Sequence, residues 1–161
     1  MSVEQQLLRK ELGDFSSIVF LKAILSGMEE AIGEKTTAIA MISAGRQQGK
    51  KLVQDLDLVN KGIDLPLADI REKMNHILGL EGTRLCIIDK IEQEEQAYKV
   101  YTKETFCSAG ESNNSSRQCT YTLGAIQGFL EGFLGIRLRG RQTESVLRGG
   151  THDVLEYSII D

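Results

Sequence analysis

Three glycines at four-residue spacing, Gly124, Gly128 and Gly132, lie in the run Leu-Gly-Ala-Ile-Gln-Gly-Phe-Leu-Glu-Gly-Phe-Leu-Gly, whose other residues are good helix formers. A glycine inside a helix costs about 1 kcal/mol relative to alanine, so three leave about 3 kcal/mol that some contact must offset. Residues four apart share a helical face, and a face without Cβ atoms admits another backbone or a flat ligand far closer than side chains would. The stripe therefore predicts a close-contact surface. Such spacing also marks membrane dimers, but this apolar run of about a dozen residues falls well short of the ~20 that span a bilayer. It also contains Gln127 and Glu131, so no transmembrane segment is expected.

With 161 residues and 41% hydrophobic content the chain is long enough for a proper core, and no Pro/Ser-rich linker divides it. A single domain over residues 1–161 is expected, with residues 1–14 peripheral. A net charge of -4, with basic residues scattered among acidic ones, gives no electrostatic footprint for nucleic acid. The opening Met-Ser-Val-Glu-Gln-Gln-Leu-Leu lacks the basic-then-apolar plan of a signal peptide, which predicts a cytoplasmic protein. Cys86, Cys107 and Cys119 are too few and too unevenly spaced for a disulfide framework or a zinc site of paired thiolates. Reduced thiols are the default, although Cys107 and Cys119 bracket one polar segment and would meet if it closed on itself.

Asp14 is placed to cap a helix whose apolar residues Ile18, Leu21, Leu25, Met28 and Ile32 alternate steps of three and four, with Gly33 to end it. A second helix over residues 35–59 carries Met41, Gly45, Gly49, Leu52 and Leu56 on one face, including its own close-contact glycine pair. Pro66 suits the start of a third helix, lined by Ile70, Met74 and Ile77 and ended by Gly79. The period then changes. Residues 83–91 read as a strand and 97–106 as its antiparallel partner across an acidic turn at 92–96. Residues 108–117, rich in Ser, Asn and Gly, predict an exposed, mobile loop. After the glycine-striped helix, residues 136–147 and 154–160 form a second hairpin turning at 148–153. Helices, hairpin, helix, hairpin is the order of an α+β domain with an antiparallel sheet covered by helices.

Little in the chain has the spacing of a catalytic site. Ala-Gly-Arg-Gln-Gln-Gly-Lys-Lys at 44–51 loosely resembles a phosphate-binding loop, but Lys51 stands where the magnesium-binding hydroxyl belongs, and a continuous amphipathic helix fits better. His76 and His152 have no sequence neighbour that makes a ligand pair or a nucleophile-base arrangement. Glu92, Glu94 and Glu95 read as a solvated turn.

The tract Cys119-Thr-Tyr-Thr-Leu-Gly124-Ala-Ile-Gln-Gly128-Phe-Leu-Glu-Gly132, then Thr-Glu-Ser-Val-Leu at 143–147 and Thr-His-Asp-Val-Leu-Glu-Tyr-Ser-Ile at 151–159, resembles the C-terminal half of the 4-vinyl reductase domain family. The upstream Ala-Gly-Arg-Gln-Gln-Gly at 44–49 is similar to that family's glycine-bearing helix, and the likeness runs from about Phe15 onward. The resemblance implies a small α+β domain related in fold to haem-nitric-oxide sensor domains and to TRAPP subunits. It also implies binding of a small hydrophobic molecule, a hydrocarbon or a tetrapyrrole precursor. Family cysteines in the last two strands align with Leu147 and Leu155 here, leaving Cys119 alone of that set. Leucine cannot ligate a metal but can line an apolar pocket, so no metal is expected and binding outranks catalysis.

The expected ligand-binding set is Cys119, Phe129, Phe133, Leu147, Leu155 and Tyr157, with no catalytic residue. Gly45, Gly49, Gly124, Gly128 and Gly132 are expected in close packing or in a homodimer, because one compact domain has limited internal need for two glycine faces. A bound tetrapyrrole or lipid is the candidate cofactor, and the resemblance implies a role in chlorophyll-intermediate handling or photosystem assembly. Two other readings follow from it. One is a TRAPP-like interaction scaffold holding structural lipid. The other is a vinyl reductase component which, without a dinucleotide fingerprint, would take its electrons from a partner.

Overall fold

In the computed structural model, residues 8–161 are described, and they fall into two compact units that divide after Thr37. In the first unit Asp14 does not cap the helix. Its carboxylate accepts from the Leu8 and Arg9 amides instead, closing a turn, and Ser17 takes over as N-cap with its hydroxyl accepting from Val19 N. Helix α1 (Ile18–Ile32) follows and ends at Gly33, whose φ of 88° suits a residue without Cβ. Leu25 is its one buried side chain, while Val19, Phe20 and Ile24 are each at least 60% exposed.

Helix α2 (Glu34–Asp55) is continuous, so residues 44–51 are helix interior and not a phosphate loop. The second unit, Ala38–Asp161, adds α3 (Leu67–Leu78) and α4 (Thr120–Leu134), with strands β1 (Ile87–Glu94), β2 (Ala97–Lys103), β3 (Leu138–Glu144) and β4 (Asp153–Ile159). Every pairing is antiparallel and the sheet order is β1-β2-β4-β3, so the two hairpins join through their second strands. Helix α3 packs on β1 and α4 on β3, which makes this an α+β fold with helices covering an antiparallel sheet. Pro66 as N-cap and Gly79 as C-cap bound α3 at the expected ends.

Three local expectations need correction. The strand expected from residue 83 starts at Ile87, because residues 83–85 turn back on α3, with Thr83 N donating to Ile77 O and Leu85 N to Leu78 O. The acidic run is not all turn. Glu92 and Glu94 stay in β1, where Tyr101 donates to Glu92 at 2.8 Å and Lys99 pairs with Glu94 at 3.0 Å, so cross-strand partners hold them in the ladder. The turn narrows to Glu95, at φ 50°, and Gln96. The polar loop is pinned rather than free of the body. Arg117 pairs with Glu111 at 2.7 Å, Asn114 N donates to Leu147 O, and the Arg148 guanidinium donates to Ser115 O and Arg117 O.

The two glycine faces meet each other. A Cβ on Gly45 would overlap Tyr121 O, and one on Gly49 would overlap Ala125 O; reciprocally, Gly124 faces Ile42 O and Gly128 faces Arg46 O. Helices α2 and α4 thus cross with their backbones in contact, and contrary to expectation one fold uses both glycine faces internally, each as the other's partner. Gly132 lies farther along against the Val53 side chain, 3.2 Å from where its Cβ would be.

Candidate ligand-binding site

The helical period puts Thr122, Ile126, Phe129 and Phe133 on one face of α4, and all four are completely buried. Phe129 and Phe133 stack obliquely with centroids 5.5 Å apart. From β4, Leu155 and Tyr157 join the same core at 0% exposure, and Cys119 enters it as the N-cap of α4. The Tyr157 hydroxyl donates to Leu123 O at 2.8 Å, and complete burial pushes its ionisation well above the usual phenol range, so it remains a donor. Five of the six expected lining residues therefore share one apolar interior. Leu147 is buried but stands outside that cluster, in the 3-10 turn Val146–Arg148 after β3.

Within this interior Thr122 is anomalous. Its hydroxyl is buried and has no hydrogen-bond partner. A buried polar atom left unsatisfied costs about 1–3 kcal/mol, and the Thr37 and Thr83 hydroxyls share this condition elsewhere in the chain.

Two carboxylates are buried, Glu131 within α4 and Asp153 at the start of β4, and the sequence pattern alone assigned a role to neither. Asp153, 1% exposed, accepts from Thr105 Oγ1 (2.7 Å), Ser108 Oγ (2.8 Å) and Val146 N (3.1 Å), tying β4 to the exit of β2 and to the end of β3. Gln142 extends this network, accepting from Cys119 N at 2.8 Å. Glu131, 6% exposed, accepts from Arg46 Nε and Nη2 (2.9 Å each), Leu138 N (3.0 Å) and Gln127 Nε2 (3.2 Å), and pairs with Lys50 at 3.1 Å. Burial alone would raise the Glu131 pKa. The Leu138 amide, Lys50, Gln127 and Arg46 together outweigh it and hold the carboxyl below its ordinary range. The visible signal was Gln127 and Glu131 at i, i+4 on a helix otherwise too apolar to carry them unpaired.

The remaining candidates are superficial. His152 Nε2 lies 2.8 Å from Asp89, which Lys103 also approaches at 3.0 Å, and its ring meets Tyr101 edge-on. Asp89 reaches this position through the register shift between Ile88 and Lys90. His76 pairs with Glu81 on the surface. A 400 Å3 cleft beside Arg46, Lys50, Glu131 and Arg137 and a 600 Å3 groove along α3 are open clefts, and none of the six expected lining residues borders either. Among the described residues no three His, Cys, Asp or Glu side chains gather as a metal site, and no helix is long and apolar enough to cross a membrane.

The sequence matches no known family profile and no curated protein. Solved structures share its fold. The phenol-responsive sensory domain of the transcription activator PoxR, in complex with phenol, superposes with a TM-score of 0.68 at 13% identity, over 91% of this chain and 77% of that one. Trafficking protein particle complex subunit 3 from Naegleria fowleri, covalently bound to palmitic acid, gives 0.61 at 12% identity over 89% and 93%. A vinyl-4-reductase family protein from Methanocaldococcus jannaschii gives 0.51 at 13% identity over 92% and 84%. The kinship inferred from the glycine helix and the strands after it is thus matched in fold.

Proposed function

We propose that this chain is a binding domain for a small, largely apolar molecule, held between α4 and the sheet against Phe129, Phe133, Leu155 and Tyr157. The observation that carries the reading is the orphaned Thr122 hydroxyl on an otherwise apolar face. A ligand with an apolar body and one polar group would bury the first and satisfy the second. The fold shared with a phenol-bound sensory domain and a palmitate-bound subunit supports the same class of ligand. A hydrocarbon or a one-ring molecule suits this face better than a tetrapyrrole, because Phe129, Phe133, Leu155 and Tyr157 are all completely buried and a macrocycle demands the larger displacement of them. Chlorophyll-precursor handling is therefore the less favoured version. The interaction-scaffold reading relied on glycine faces open to another protein, and α2 and α4 occupy them.

Native mass spectrometry of the purified protein, with and without denaturation, reads any retained ligand directly. Titration with phenol, toluene, palmitate and a porphyrin then ranks the classes. Thr122→Val keeps the shape and removes the hydroxyl. It should weaken phenol about 3- to 10-fold, the worth of one hydrogen bond, leave toluene unchanged, and leave the thermal midpoint of the free protein equal or higher. Equal losses for phenol and toluene, or no binding of any probe, would sink the site. Elemental analysis should find no stoichiometric zinc or iron, since Leu147 and Leu155 supply no ligand atom.

We further propose that the protein is a homodimer through α1, where the apolar side chains of Val19, Phe20 and Ile24 are exposed. Sedimentation at micromolar concentration should return twice 17.9 kDa, and Phe20→Glu should return the monomer. A monomeric wild-type profile would remove the dimer.

A further inference from the structure

The sulfurs of Cys107 and Cys119 lie 2.6 Å apart, across the polar loop that connects the exit of β2 to α4. Both side chains are buried, at 2% and 1% exposure. Cys119 N donates to Gln142 Oε1, its Sγ lies 3.7 Å from Thr105 Oγ1, and Thr105 is bonded to the buried Asp153. Sulfurs already in contact close to a bond with a small movement of their side chains. Burial pushes the third thiol, Cys86, far above the usual thiol range.

We propose that Cys107 and Cys119 form a redox modification site, closed to a disulfide by a peroxide and reopened by a dithiol reductant. The pair loses its first proton below the usual thiol range, because the remaining S–H donates to the new thiolate, and holds its second far more tightly. The thiolate attacks one oxygen of hydrogen peroxide, the O–O bond breaks, and a sulfenic acid forms as hydroxide leaves and takes up a proton. The second sulfur then attacks the sulfenic sulfur, giving up its proton as the S–O bond breaks and water departs. Two thiols are oxidised, one peroxide is reduced, and two waters result. The new bond ties residues 108–118 into a closed loop at the start of α4. This site stands independently of the proposed ligand.

Native protein is treated with hydrogen peroxide, then alkylated and mapped without reduction. The expected product has a mass lower by about 2 Da, one peptide pair joining Cys107 to Cys119, and Cys86 still alkylated. Its midpoint should rise by about 5–10 °C, as for other loops of this length, and fall back on adding dithiothreitol. Cys86→Ser should keep the cross-link, and Cys107→Ser or Cys119→Ser should abolish it; the wild-type map decides the matter should a variant not fold. Both thiols recovered alkylated, oxygen added to either sulfur without a cross-link, a bond that includes Cys86, or one formed only in urea would each overturn the site. A cross-link that leaves the midpoint unmoved would overturn the clamp on the loop.

Discussion

Gly128→Ala should lower the thermal midpoint by about 5–10 °C, although the same change in an isolated helix would stabilise it. Alanine gains about 1 kcal/mol of helix propensity over glycine. Against that, the added Cβ would lie closer than 3.0 Å to the Arg46 carbonyl oxygen, a backbone atom with no rotamer to yield. Overpacking costs about 1–3 kcal/mol where side chains can shift. Here α2 and α4 must separate along their whole crossing, so the net loss is set at about 2–3 kcal/mol, and each kcal/mol is worth about 2–4 °C in a chain of this size. Gly124→Ala should behave alike, being opposed to Ile42 O. Gly132→Ala should cost less, since it meets the movable Val53 side chain at 3.2 Å. Gly27→Ala in α1 has nothing within 4 Å and should raise the midpoint by a few degrees. Denaturation scans of the four variants test the ordering. If Gly128→Ala proved as stable as the wild type, the helices would not cross as described.

The order of those effects marks where the sequence could be read. Glycine spacing declared two close-contact faces, but spacing along one helix carries no information about which other helix opposes it, so the meeting of Gly45 and Gly49 with Gly124 and Gly128 had to come from the fold. Capping chemistry located α3 through Pro66 and Gly79. It misled at Asp14, where two nearby amides competed successfully for the carboxylate and left Ser17 as the cap. Alternation found both hairpins and missed the start of β1, because the apolar residues at 85 and 86 serve a turn onto α3 as readily as a strand. The aromatic and aliphatic members of the proposed site were legible as apolar positions on α4 and β4. Thr122 was not, since an orphaned hydroxyl is a property of surroundings and not of a residue. The contact between Cys107 and Cys119 likewise needed the loop between them to fold back, which its polar composition does not encode.

Replacing Glu131 should produce the largest loss of stability among single changes of a polar residue. The carboxylate is the shared acceptor for α2, α4 and the first amide of β3, and removing it leaves Leu138 N–H and Gln127 Nε2 with one partner fewer inside the protein. Arg46 and Lys50 are 40% and 44% exposed and regain water, so they temper the penalty. Glu131→Ala is therefore set at about 2–4 kcal/mol, at the lower end of what breaking a buried charge network costs. Glu131→Gln retains one acceptor oxygen and should lose roughly half as much. The pH dependence separates charge from shape. Because folding holds the Glu131 pKa below its ordinary value of 4.5, the stabilisation is full above that value and is lost as pH falls through the lower, folded-state pKa. The midpoint gap between wild type and Glu131→Gln should accordingly be widest near neutrality and shrink in acid, as the wild-type side chain takes up the proton that makes it resemble glutamine. A gap that stays constant from pH 7 to about pH 3 would mean that Glu131 holds α2, α4 and β3 together by its shape and hydrogen bonds alone, with its charge contributing nothing.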